Sequence, residues 1–351
     1  MRFHLNDEQA AIQSAIKGTL AETFPTARLH EFADGEADFD TDSWHALMAL
    51  GLGGLLVAED VGGVGLTLVD AALAAEVIGA AAAPGPIIGQ VLTALAVARS
   101  ANPAVETYLA GLISGELVAT LALGGDGAPE AWTATPETGE VRFVQSAAAA
   151  KVFLLGVKGG GLSLVESGAG VTVTPVKSTD RSRRLSSVSF AEAKSHELFA
   201  PGDPFVRKVV DAALVLLAAD ALGGAEHCVE ISVAYAQERQ QFGQPIARFQ
   251  ALKHQLAHMA LDVEPARALV WYAAYAHDAD LPDASRAAAI AKAHLADRYV
   301  AVTRAAIAAH GGIGYTWEYG LNYWFRRAVF DRAYLGSPGV HRARAAALAG
   351  W

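Results

Sequence analysis

Ile12, Ile16 and Leu20 return every four residues, behind an Asn6 that is followed three positions later by Gln9. That spacing draws one apolar stripe on a helix, and the Asn/Gln pair can close a capping box at its start. Helical patterning continues through Trp44–Leu50 to about Ile113. Within it, Val77 to Ala98 carries no charge and is about long enough to cross a bilayer. Pro84-Gly85-Pro86 interrupts that stretch, so the pattern predicts two helices joined by a turn and no membrane span.

From Glu116 the texture changes. Leu117–Leu121, Val152–Leu155, Leu162–Val165, Val171–Thr174 and Ser187–Phe190 are short apolar or alternating runs, separated by clusters such as Gly159-Gly160-Gly161. They read as antiparallel strands with hairpin turns. Asp203-Pro204 then supplies a cap and first turn for a long helix reaching about Gln237. A second helix is expected from near Arg248, a third over Asp283–His310 stopped by Gly311-Gly312, and a last one capped at Ser337-Pro338. Pro265 inside the second helix removes a hydrogen bond at a cost of about 3 kcal/mol, which predicts a bend there. The expected fold is mainly α with a central β domain: an N-terminal helical domain (1–114), a small antiparallel β domain (115–203) and a C-terminal four-helix bundle (204–351).

Composition narrows the function. With 52% hydrophobic and 18% charged residues the chain can bury a large core, which opposes disorder. A net charge of −10 without any basic run argues against nucleic acid and anionic lipid as partners. Cys228 is the lone cysteine, so an intrachain disulfide and a cysteine metal cluster are excluded, as suits a reducing compartment. The opening Met1–Glu8 lacks the apolar stretch of an export signal, and a cytoplasmic location is expected. His254 and His258 lie four apart but lack a third ligand, so no metal is expected. His227 beside Cys228 reads as packing. Asp220 interrupts the apolar run Leu214–Ala219 and demands either an arginine partner, the favoured reading, or a raised pKa.

Two segments carry candidate chemistry. Arg239-Gln240-Gln241-Phe242-Gly243, followed by Gln250, turns the corner between two long helices, where a guanidinium can hold a phosphate and an aromatic can stack on a ring. His310-Gly311-Gly312-Ile313-Gly314-Tyr315 closes the third helix with glycines that would let a phosphate or ribose approach the backbone. In this order the two resemble the FAD-binding signature of the flavin-dependent acyl-CoA dehydrogenase superfamily. Leu50-Gly51-Leu52, Glu59 to Gly65 and Asp180 to Arg184 extend the resemblance over nearly the whole chain. It implies α,β-desaturation of an acyl-CoA thioester and an electron-transfer protein as acceptor. It also implies that Arg239, Phe242, Gln250, Gly311 and Gly312 hold the adenosine diphosphate portion of an FAD bound mainly by a neighbouring subunit.

The chain departs from that family where proton abstraction would occur. The reaction needs a carboxylate within reach of the α-proton, yet the turn that resembles the family's Tyr-Glu-Gly-Thr is Tyr334-Leu335-Gly336-Ser337. The alternative family position, on the first long C-terminal helix, falls on Ala213, with Asp211 and Asp220 as its acidic neighbours. Thr120–Asp126 stands in place of a Thr-Glu-Pro…Gly-Ser-Asp stretch, the tryptophan-bearing flavin strand is expected to be lost near Phe143–Ser146, and Ala308 replaces a glutamine. Losses at base, flavin bed and glutamine together resemble the shorter subunit of a heteromeric α2β2 dehydrogenase, whose homologous partner carries the base. Two alternatives are a self-sufficient homotetramer using Asp220 or Asp211, and a flavin-free scaffold.

Overall fold

The computed structural model describes residues 4–351, so Met1–Phe3 of the opening segment lie outside the described residues. Six helices come first: α1 (Asp7–Thr23), α2 (Thr26–Asp34), α3 (Thr41–Ala49), α4 (Leu68–Ala80), α5 (Ile87–Arg99) and α6 (Glu106–Ser114). The Asn6 carboxamide accepts the Gln9 N–H at 2.7 Å and the Gln9 side chain accepts the Asn6 N–H at 3.2 Å, which closes the expected capping box. The uncharged stretch is two helices, α4 and α5, and no helix among the described residues is long and apolar enough to cross a membrane.

Seven strands follow: β1 (Ala119–Ala122), β2 (Thr138–Gln145), β3 (Val152–Val157), β4 (Gly161–Glu166), β5 (Val171–Val176), β6 (Leu185–Ala191) and β7 (Ser195–Phe199). They form one sheet in the order β1-β3-β4-β7 and another in the order β2-β6-β5. Ala122, Val144, Phe153, Leu155 and Val188 fill a core of their own. Pairing is antiparallel except between β1 and β3, which run parallel. The chain leaves β1, lays β2 into the other sheet and returns, a crossover that a parallel pair requires. The sequence reading missed β2 and β7 because both are mostly polar.

The C-terminal part holds α7 (Pro204–Glu238), the two-residue strands β8 (Gln240–Gln241) and β9 (Gln244–Pro245), then α8 (Gln250–Asp278), α9 (Ala284–His310), α10 (Leu321–Ala333) and α11 (Pro338–Leu348). The expected bundle thus has three long helices with two shorter ones against them. Asp203 caps α7 by accepting the Phe205 N–H at 2.8 Å. α8 continues through Pro265 as one helix; Pro265 is exposed, as is Leu261, whose freed carbonyl can be solvated. The N-terminal helices join the bundle by close backbone contact of α4 with α7. A Cβ on Gly223 would lie 1.7 Å from the Glu76 carbonyl oxygen, and one on Gly79 would lie 2.0 Å from that of Asp220.

Candidate functional site

At the far end of α7 the chain turns through the β8–β9 hairpin, with Phe242 (φ +53) and Gly243 (φ +75) as its two turn residues. Tight hairpins of this twist need positive φ at both positions. Glycine adopts it freely, whereas a phenylalanine there costs on the order of 1 kcal/mol. The Phe242 ring is 91% exposed, with Phe249 perpendicular to it at 6.0 Å. Arg239 and Gln250 are exposed beside it. Tyr235, one turn before Arg239, stacks on His310 at 4.5 Å, so the end of α9 meets the end of α7 and the two signature segments share one end of the bundle. Gly311 has φ +64, and a Cβ on Gly243, Gly311 or Gly312 would meet nothing within 4 Å. Packing within the chain therefore does not demand these glycines, and the space over them is open. Ala308 is exposed on the last turn of α9.

A cleft of 630 Å³ lies between the β domain and α10, lined among others by Leu123, Phe143, Phe330, Tyr334 and Leu335. Phe330 stacks on Tyr334 at 4.8 Å. Leu335 is 3% exposed and sits at φ +54. Its carbonyl accepts a hydrogen bond from His341 Nε2 at 2.8 Å, and burial holds that imidazole neutral by pushing its pKa down to about 4. Loop 124–127 presses on the same turn: a Cβ on Gly127 would lie 2.9 Å from the Leu335 carbonyl oxygen, and one on Gly336 would lie 2.7 Å from that of Asp126. The strand expected to be lost is β2, present with an irregularity between Val141 and Val144. There Phe143, at φ +62, turns its ring into the cleft, with the Arg142 guanidinium 5.1 Å over it. A bulge breaks the period-two pattern, which hid this aromatic from a sequence reading. Asp126 and Glu140 are the acids on the lining, and neither was singled out from sequence.

The acids that were singled out lie elsewhere. Asp220 is 2% exposed and accepts from Arg327 Nε at 3.0 Å, from Arg327 Nη2, and from Arg183 Nη2 at 2.9 Å. Burial alone would raise its carboxyl pKa, but Arg183 and Arg327 outweigh it and hold the group below the ordinary carboxylate range. Arg183 also pairs with Asp331, whose main-chain carbonyl accepts from Lys292. Asp211 is bound by Ser285 and Arg344. Ala213 is fully buried, and neither Asp211 nor Asp220 lines the cleft. His254 and His258 are exposed on α8, and no group of three His, Cys, Asp or Glu side chains converges among the described residues. Cys228 is buried, and His227 stacks on Trp324 at 4.4 Å.

A family model described as acyl-CoA dehydrogenase, N-terminal domain, matches residues 6–116, and one described as acyl-CoA dehydrogenase, C-terminal domain, matches residues 205–349. Acyl-CoA dehydrogenase IpdE2 of Mycobacterium tuberculosis is 30% identical over 335 residues, spanning 95% of this chain and 94% of that protein. The chain belongs to the acyl-CoA dehydrogenase family. The chain also matches acyl-CoA dehydrogenase FadE34 of the same organism at 33% identity, over 98% of this chain but 48% of FadE34. Among solved structures, a variant of the Tcur3481-Tcur3483 steroid ACAD superposes with a TM-score of 0.89 at 27% identity, covering 98% of both chains. The ChsE4-ChsE5 complex from Mycobacterium tuberculosis shares the fold, with a TM-score of 0.88 at 22% identity over 100% of this chain and 99% of that one. Acyl-CoA dehydrogenases are FAD-dependent oxidoreductases, and FAD is the cofactor that membership of the family brings.

Proposed function

We propose that this chain is one of two unlike subunits of an acyl-CoA dehydrogenase, providing fold, interface and half of an FAD site while a homologous partner provides the base. The observation that carries the reading is Leu335, a hydrocarbon held at the turn where a carboxylate would be needed. The acids on α7 do not replace it, because arginines outside the cleft neutralise both. FAD, when bound, supplies the acceptor for the β-hydride as the α-proton leaves. The outward-facing residues fit its adenosine diphosphate portion. Arg239 can fork two hydrogen bonds to a phosphate, Phe242 can stack on a ring, Gln250 can add a polar contact, and Gly311 and Gly312 leave the backbone open. Exposed residues that do not line the chain's own cleft are free to serve a neighbour. FadE34 supports pairing, since the part of it that this chain leaves unmatched is large enough for a second unit of this size. Two of the structural relatives also carry paired names.

On this reading the acyl-CoA is desaturated in the partner's cleft, electrons pass to an electron-transfer protein, and the complex works in the cytoplasm. A homotetramer relying on Asp220 or Asp211 would have to break buried ion pairs to free its base. A flavin-free scaffold would gain nothing from a strained, exposed Phe242. The test is to purify the chain alone and together with a homologous dehydrogenase subunit, measuring flavin per chain and particle mass. Flavin in a mixed tetramer at half occupancy is expected; one flavin per chain in a homotetramer with acyl-CoA-driven bleaching would overturn the proposal.

A further inference from the structure

α1 and α2 cover the bundle only in part. Between them and α4, α7, α8 and α10 lies a cavity of 780 Å³ that shares no lining residue with the 630 Å³ cleft. Its apolar walls include Leu20, Phe24 and Leu29 on one side and Trp271 and Trp324 on the other. His227 lies nearly parallel to Trp324, 4.4 Å away at 25°, and among the described residues its ring makes no hydrogen bond to protein. Burial, then Lys17, pushes its pKa down to about 4, so the ring is neutral near pH 7 and offers one donor and one acceptor to whatever enters.

Charge at the mouth is unbalanced. The buried Glu76 carboxylate accepts from Trp271 Nε1 and Arg267 Nη1, both at 2.8 Å, and the other Arg267 nitrogen serves Glu226 at 2.6 Å. Arg267 thereby gives its hydrogen bonds to Glu76 and Glu226, while its charge and that of Lys17 also reach Glu230. Among the described residues Glu230 and Glu264 have no ion-pair partner; burial pushes the Glu76 carboxyl up to about 7, so the lasting negative charge on the lining is Glu226, Glu230 and Glu264 against Lys17 and Arg267. An aromatic, apolar cavity with excess negative charge and an idle imidazole complements a ligand that is apolar at one end and positive at the other.

We propose that this cavity is a binding site for a small organic cation with an apolar ring, the ring lying among Phe24, Trp271 and Trp324 and the charge at Glu230 and Glu264. The site is separate from the cleft and from the outward-facing signature segments, and its existence does not depend on which subunit carries the base. The test uses the protein in the assembly in which it purifies, titrated with benzyltrimethylammonium and followed by calorimetry and tryptophan fluorescence. Benzoate and benzyl alcohol serve as anionic and neutral counterparts. Saturable binding of the cation is expected, at least tenfold weaker for Glu230→Gln and for Trp324→Leu, with benzoate not binding. Thermal midpoint and flavin content of Glu230→Gln should match those of the parent, which separates lost charge from lost fold. The proposal is overturned by absence of saturable binding, by benzyl alcohol binding as tightly as the cation, or by a Glu230→Gln variant that binds as well as the parent.

Discussion

An acid between Ala219 and Ala221 survives on an apolar helix only because two guanidiniums reach it. Its need for an arginine was legible from the apolar run around Asp220; which arginines answer it was not, since Arg183 and Arg327 lie 37 and 107 residues away. Removing one member of such a pair leaves buried charge uncompensated, at about 3–5 kcal/mol. Asp220→Asn is therefore expected to lower stability by that order in chemical denaturation, with flavin loss following unfolding. Full stability with abolished turnover would instead make Asp220 the base. Arg239 lies at the opposite extreme. It is exposed, with no ion pair of its own among the described residues, so Arg239→Ala should change stability by less than about 0.5 kcal/mol while lowering the flavin content of the assembled enzyme.

Helices were readable because period and caps are local: Asn6 with Gln9, Asp203 with Pro204, and Gly311 after His310 each mark an end that the structure keeps. Strand pairing is not local, so the parallel β1–β3 contact had no sequence signature. The bulge that presents Phe143 likewise looked like a lost strand. The contact of α4 with α7 was hidden for the same reason, since Gly79 and Gly223 belong to different segments. It makes a paired prediction. Gly223→Ala would drive a methyl into the Glu76 carbonyl and should cost at least about 1–3 kcal/mol as overpacking. Gly18→Ala in α1, where a Cβ meets nothing within 4 Å, should stabilise by about 1 kcal/mol. Thermal melts of the two variants should move in opposite directions.

Across the whole molecule, Arg183 reaches from the β domain into the bundle. It joins Asp220 on α7 to Asp331 on α10, beside Arg327 on α10 and Lys292 on α9, and it stacks on the cleft residue Phe330 at 4.7 Å. The seat of the β domain is thus ionic and buried, and it should feel pH. Burial, despite Arg183, pushes the Asp331 carboxyl up to about 7, and burial pushes the Lys292 ammonium down to about 8. A carboxyl raised above its unfolded value of about 4 contributes stability that is lost as pH rises toward its folded value, by about 1 kcal/mol per pH unit. A lysine depressed below its unfolded value of about 10 contributes stability that is lost as pH falls toward its folded value. Both groups carry charge between pH 7 and 8, where the pair contributes least. Asp331→Asn should therefore gain on the parent protein between pH 5 and 7 and hold a constant offset from 7 to 8, measured by urea denaturation at each pH. An offset that does not vary with pH would mean that Asp331 stays ionised throughout, with Arg183 outweighing its burial.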